Sequence, residues 1–264
     1  MSWLASVARR HQLVAFFLLA YALSWWPWIW FQFDPVTVDA PILPWGPFIA
    51  AAIMLALIGG WPAIRTWLAK VVHWRVPLVW YAVALLGPPA LTLTAVGINR
   101  LLGAEFAAGA EFPGWPDLIV RFVFILFVIG LGEEPAWRGY ALPRLLVGRT
   151  ALAASLILGL LHAIWHLPLF GIEYDVQNGI PWAITVVCVA IVITWIWLHT
   201  GGSLLLPVLL HTSNNTIAFF WGTFEGPDQL RLWWIWCALW AAATAIIVIA
   251  NGPALTRKPA VAAA

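Results

Sequence analysis

The chain has 264 residues, of which 63% are hydrophobic and only 9% charged, with 21 tryptophans and a formal net charge of +2. A water-soluble domain carries about 25% charged residues, so this composition excludes one and implies an all-α integral membrane protein. The tryptophans agree, because the indole ring favours the membrane–water boundary.

A membrane-crossing helix needs about 20 mostly apolar residues, since the hydrocarbon core is about 30 Å thick and a helix rises about 1.5 Å per residue. Eight such segments follow one another, at roughly 12–31, 42–60, 77–97, 117–136, 151–170, 181–198, 203–221 and 232–250. The first follows Arg9 and Arg10 but is long for a signal peptide and lacks a small-residue cleavage site, so it reads as a retained helix. Between the second and third segments, Trp61 to Trp74 carries three tryptophans, Arg65 and Lys70, a pattern for an amphipathic helix along the membrane surface. Cys188 and Cys237 fall in apolar runs and read as lone buried thiols. With no soluble domain, long linker or repeat, residues 1–264 form a single membrane domain.

An even number of spans puts both termini on one side. Assigning that side to the cytoplasm places ten of the 13 basic residues inside, leaving only Arg100, Arg121 and Arg231 outside. That is a clear positive-inside bias, and the expected location is a cell membrane with both termini cytoplasmic. Nine of the 11 acids fall outside; the other two are Glu133 and Glu134.

Ionisable groups at membrane depth are expensive, and each calls for a functional reading. Arg138 lies four residues beyond Glu134, one helical turn away, where an ion pair neutralises both. Pro135 between them removes a backbone donor and favours a kink. His162 and His166 are one turn apart in the fifth span, and so are His211 and Asn215 in the seventh. These three groups also have bland readings: a solvated helix end, core histidines, and hydrogen bonds between helices. Arg121, near the outer end of span four, is expected to snorkel to the interface. Spans four and five turn near Gly148, with Glu133 15 residues before it and His166 18 after it, so the two lie nearly level. A carboxylate, two imidazoles and an amide at similar depth suit water activation and oxyanion stabilisation. That depth is the cytoplasmic half or the middle of the membrane, which predicts a cavity open to the cytoplasm.

These residues resemble the CPBP family of intramembrane proteases, which includes the type II CAAX prenyl endopeptidases and bacteriocin-processing or immunity proteins related to lysostaphin resistance protein A. Its motifs are EExxxR, FxxxH and HxxxN. The first reads Glu133-Glu134-Pro135-Ala136-Trp137-Arg138 and continues Gly139-Tyr140; the third reads His211-Thr212-Ser213-Asn214-Asn215. In the second, His162 stands at the phenylalanine position ahead of His166. The resemblance covers about residues 117–221. It implies a catalytic core there, with Glu133 as general base assisted by His166, Glu134 paired with Arg138, and His211 with Asn215 as the oxyanion hole. His162 is then an extra polar group or alters substrate fit. No cofactor is expected, since an asparagine beside the second histidine suits an oxyanion donor. The alternative is zinc on Glu133, His166 and His211 with an open fourth position. The implied partners are a membrane-associated or lipidated polypeptide substrate and the bilayer, with no nucleic acid. The rival readings are a proton- or cation-coupled transporter and a non-catalytic bacteriocin-immunity protein.

Overall fold

A computed structural model describes residues 10–33 and 44–256. The basic residues Arg9, Arg257 and Lys258, the acids Asp34 and Asp39, and the start of the second expected span lie outside the described residues. Within them the chain is helical, with one isolated bridge between Phe170 and Tyr174 in place of any sheet.

Seven helical segments among the described residues are long and apolar enough to cross a membrane, which makes this an all-α, multi-pass membrane protein. They include α1 (Gln12–Phe33), α2 (Gly46–Ala69), α3 (Leu78–Leu101), α4 (Trp115–Leu145) and α5 (Ala151–Trp165), followed by α6 (Gly179–His199) and α8 (Gly226–Asn251). The expected seventh span, 203–221, differs from the others. It forms only a short helix, α7 (Leu205–Thr216), followed by a 3-10 turn, Ala218–Gly222.

Contacts between the connecting segments show that this short element still runs from one end of the bundle to the other. At one end the Arg144 guanidinium donates to the Gln12 amide oxygen and the Leu152 N–H to the Pro253 carbonyl. The Ser203 hydroxyl and Leu204 N–H donate there to the His73 and Lys70 carbonyls. At the other end, Gln32 donates to the Pro168 carbonyl, Asn99 to the Asp228 carbonyl, and the Ala107 N–H to the Thr223 carbonyl. Residues 205–222 therefore connect the first end to the second, and the described ends of the chain lie together. We call the first the basic end and the second the acidic end, after the residues of their loops.

Two local features shape the interior. Gly60 interrupts α2 with a φ of 63°, a left-handed conformation that a side chain resists, and the helix changes direction there. The segment beyond it is not simply a surface helix. Trp61 is exposed as expected, but Trp67 turns inward and its indole N–H donates to the Pro135 carbonyl at 2.7 Å. In α4, the Glu133-Glu134 turn (Leu131–Ala136) is flanked by two π-helical turns, Leu126–Gly130 and Trp137–Ala141. Such widened turns arise where the hydrogen-bond ladder loses a donor, and Pro135 removes one here. The α4 turn packs into an aromatic layer in which Phe16 and Phe17 of α1 meet Trp137 and Tyr140, with ring centroids 4.9–6.0 Å apart.

Candidate active site

The EExxxR turn places two adjacent carboxylates on different faces of α4, so each meets different partners. Glu134 is fully buried, and its Oε1 accepts from Arg138 Nη1 and from His211 Nδ1, both at 2.8 Å. A buried carboxylate is tolerated at this depth only with such partners. Arg138, four residues on, is only 1% exposed, as the spacing predicts. Glu133, 2% exposed, accepts at Oε2 from Trp137 Nε1 at 3.3 Å and meets His162 Nε2 at 2.9 Å.

The histidine at the phenylalanine position is thus the direct partner of Glu133. His166, expected to assist that carboxylate, hydrogen-bonds instead through Nδ1 to the His162 carbonyl at 3.0 Å. A carbonyl only accepts, so Nδ1 carries the proton and Nε2 is left as an acceptor. His166 still lies close by: one donor atom each from Glu133, His162 and His166 falls within 4.8 Å of the others. This set differs from the expected zinc ligands, because His211 turns to Glu134 and His162 takes its place. The cause is the one-turn spacing on α5, which puts both imidazoles on the face toward α4.

Helix α7 supplies the rest. It approaches α4 at Gly130, where a Cβ would stand 2.8 Å from Thr212 Oγ1 and 3.1 Å from Val208 Cγ1. This contact brings His211 against Glu134 and turns Asn214 and Asn215 toward the cavity. The Asn214 amide donates to Asn215 Oδ1 at 3.2 Å.

Space around the site is unevenly distributed. A narrow pocket lies against Glu134, Arg138, His162, His166 and His211. It shares Asn214, Asn215, Tyr174, Trp182 and Trp236 with a larger cavity of about 480 Å³ that extends past Ile129 and Trp233 to Arg121, Glu173 and Trp221. A small recess joins Glu133 and His166 to Glu173 as well. The rim residues Arg121 and Glu173 and the loop 217–225 belong to the acidic end. The larger cavity therefore leads to the acidic end of the bundle. Level helices fix how deep a site lies, whereas access depends on where neighbouring helices part. Here α5 ends at Trp165, and the loop after His166 borders the cavity with Glu173 and Tyr174.

Glu173 is exposed as a whole, yet its carboxyl belongs to the cavity wall. Burial there, reinforced by the Glu133 charge, raises it from the ordinary 4.5 to about 7. Tyr174 is pushed up by its own burial and then by Glu173 and Glu133. Arg121, expected to snorkel, is exposed at this rim. Glu173, Tyr174, Trp137 and Asn214 lay outside the sequence-based site. Only Asn214, beside Asn215, carried a signal there.

Comparison with known proteins bears out the resemblance drawn from the three motifs. Residues 115–217, which contain all of them, match the family described as type II CAAX prenyl endopeptidase Rce1-like. The chain is also similar to CAAX prenyl protease 2 of Methanococcus maripaludis, with 25% identity over 182 residues, covering 64% of this chain and 67% of that protein.

Proposed function

We propose that this protein is an intramembrane endopeptidase that hydrolyses a peptide bond of a membrane-associated polypeptide, with Glu133 as the base that activates water. The observation that carries the reading is the placement of Glu133. It is a nearly fully buried carboxylate, oriented by His162 and Trp137, in a recess that also contains His166 and Asn215. The similarity to a CAAX prenyl protease supports the same reaction class.

The chemistry follows from the donors and acceptors. His162 and Trp137 occupy Glu133 Oε2, and the described residues offer no partner to Oε1, which leaves it for the attacking water. His166 Nε2 is a second acceptor for that water. As the water oxygen bonds to the scissile carbonyl carbon, Glu133 takes its proton, and the hydrogen bond to His162 keeps the carboxyl oriented. The proton then goes to the departing amine as the C–N bond breaks. Negative charge on the former carbonyl oxygen is met by the Asn215 amide and by His211. In its imidazolium form His211 donates from both nitrogens, Nδ1 to Glu134 and Nε2 to the oxyanion. Glu134 and Arg138 position His211 and do not touch substrate.

One observation favours a second reading of the same site. Glu133, His162 and His166 offer a carboxylate and two imidazoles within reach of one ion, a donor set that fits catalytic zinc. Bound there, zinc would supply Lewis acidity toward water and carbonyl, and Glu133 would hold the metal. A proton-relay reading needs a polar path to both ends of the bundle. Between Arg138 and the basic end, however, Phe16, Trp137, Tyr140 and Leu142 are packed without exposure.

The test is cleavage of a fluorogenic apolar peptide by the purified protein, with its metal content measured in parallel. Activity that survives chelation and is lost in Glu133→Gln and His162→Ala supports the metal-free mechanism. Loss on chelation with recovery on zinc addition establishes the second reading. Unchanged cleavage by both variants would remove the site altogether.

A further inference from the structure

We propose that substrate reaches the catalytic cavity from the non-cytoplasmic face of the membrane, so that the protein acts on exported or externally exposed polypeptide segments rather than on cytoplasmic termini. This rests on the reading of the Glu133 site beside the cavity as catalytic, and two independent observations carry it.

The first is the direction of the cavity. Its rim is Arg121, Glu173 and Trp221, and all three belong to the end of the bundle where Gln32, Asn99, Pro168 and Asp228 meet. From Arg121 to Glu133 is 12 residues of helix, or about 18 Å along the α4 axis, so the passage runs from that end to the site. Toward the opposite end the same site is closed. Trp137, Tyr140 and Leu142 are completely buried, and Trp67 seals Pro135 through its indole hydrogen bond.

The second is the distribution of charge. Among the described residues the basic end gathers Arg10, Arg65, Lys70, Arg75, Arg144 and Arg149. Among the described residues the acidic end has three arginines and seven acids. Basic residues in short loops are retained in the cytoplasm, so the basic end faces the cytoplasm and the cavity opens away from it.

The lining indicates the occupant. Trp182, Trp221, Trp233 and Trp236 form apolar walls, with polar groups only at the rim and at Asn214 and Asn215 beside the site. At about 480 Å³ the cavity has the size of a pocket that engulfs a short segment, about 300–1,000 Å³ in general. It suits an extended apolar stretch whose backbone is read by the two asparagine amides and whose polar end remains at Arg121 and Glu173.

Charged maleimide labelling decides the matter without reference to activity. In a background with Cys188 and Cys237 replaced by alanine, single variants Glu173→Cys and Ala218→Cys probe the cavity, and Arg149→Cys probes the basic end. In spheroplasts the reagent should modify the first two and spare the third, with the reverse in inverted membrane vesicles. Modification of the cavity positions only in inverted vesicles, or in neither preparation, overturns the proposal. As a second arm, wild-type protein is reconstituted with its basic end facing the lumen and given an impermeant fluorogenic apolar peptide. Cleavage is expected for peptide added outside and not for peptide enclosed within; the opposite pattern overturns the proposal. Failure to cleave on either side would count against the endopeptidase reading, while the labelling would still decide the route.

Discussion

The two halves of α4 belong to one helix but to different environments. From Trp115 to Phe127 the large side chains of Ile119, Val120 and Phe127 are exposed on the outside of the bundle, while Phe124, Val128 and Ile129 border the cavity. From Gly132 to Arg138 every residue is buried. Each half has an arginine. Arg121 stands at the rim with no ion pair among the described residues, whereas Arg138 is enclosed against Glu134. The contrast shows what allows charge inside this bundle. An ion is held at depth where a second helix brings a partner, and otherwise it is left at the end, where water reaches it.

Substitutions can break this contrast, beginning with the largest effect. Glu133→Gln should lower the cleavage rate by about 10²–10⁴-fold, the usual contribution of a general base, while the unfolding temperature in detergent stays near wild type. Arg138→Ala should destabilise the fold by about 3–5 kcal/mol, because Glu134 is left as a buried charge with only His211 beside it. The double variant Glu134→Gln/Arg138→Met should recover much of that loss in thermal unfolding, and Arg121→Ala should stay within about 0.5 kcal/mol of wild type. Equal losses for the two arginine variants would erase the distinction between the halves. Gly130→Ala forces a Cβ onto Thr212 and Val208 and should cost about 1–3 kcal/mol. It moves α7 as well, so kcat should fall with the displacement of His211 and Asn215, whereas Gly148→Ala in the turn before α5 should leave kcat intact.

The smallest effect concerns pH. The folded protein holds the Glu173 proton up to about 7, against an ordinary 4.5. The folded state therefore binds more protons than the unfolded chain across that window, so stability declines as pH rises through it and levels off above about 7. Glu173→Gln should flatten this part of a plot of unfolding temperature against pH, and an unaltered slope would show that the carboxyl is solvated. Arg121 and Tyr174 border the same cavity, Glu133 borders the recess that Glu173 also lines, and all three set the background against which that slope is read.

Much of the architecture is written locally. Apolar run length identifies the spans, and the loop charges give the bundle two distinct ends. Helical periodicity couples Glu134 with Arg138 and places His162 beside His166 on one face of α5. These features depend on residues within one or two turns of each other, so the linear chain contains them. The shape of the seventh crossing was less legible: its apolar content suits a full span, but the polar run His211 to Asn215 ends in a short helix and a 3-10 turn.

Only the tertiary structure decided which imidazole meets which carboxylate. Glu133 and Glu134 are adjacent in the chain, yet a helix turns about 100° between neighbours, so α5 reaches one and α7 the other. It also decided where the cavity leads. A residue's depth follows from counting along its own helix, but an opening exists only where several helices fail to close against each other, and no single segment of the chain contains that information.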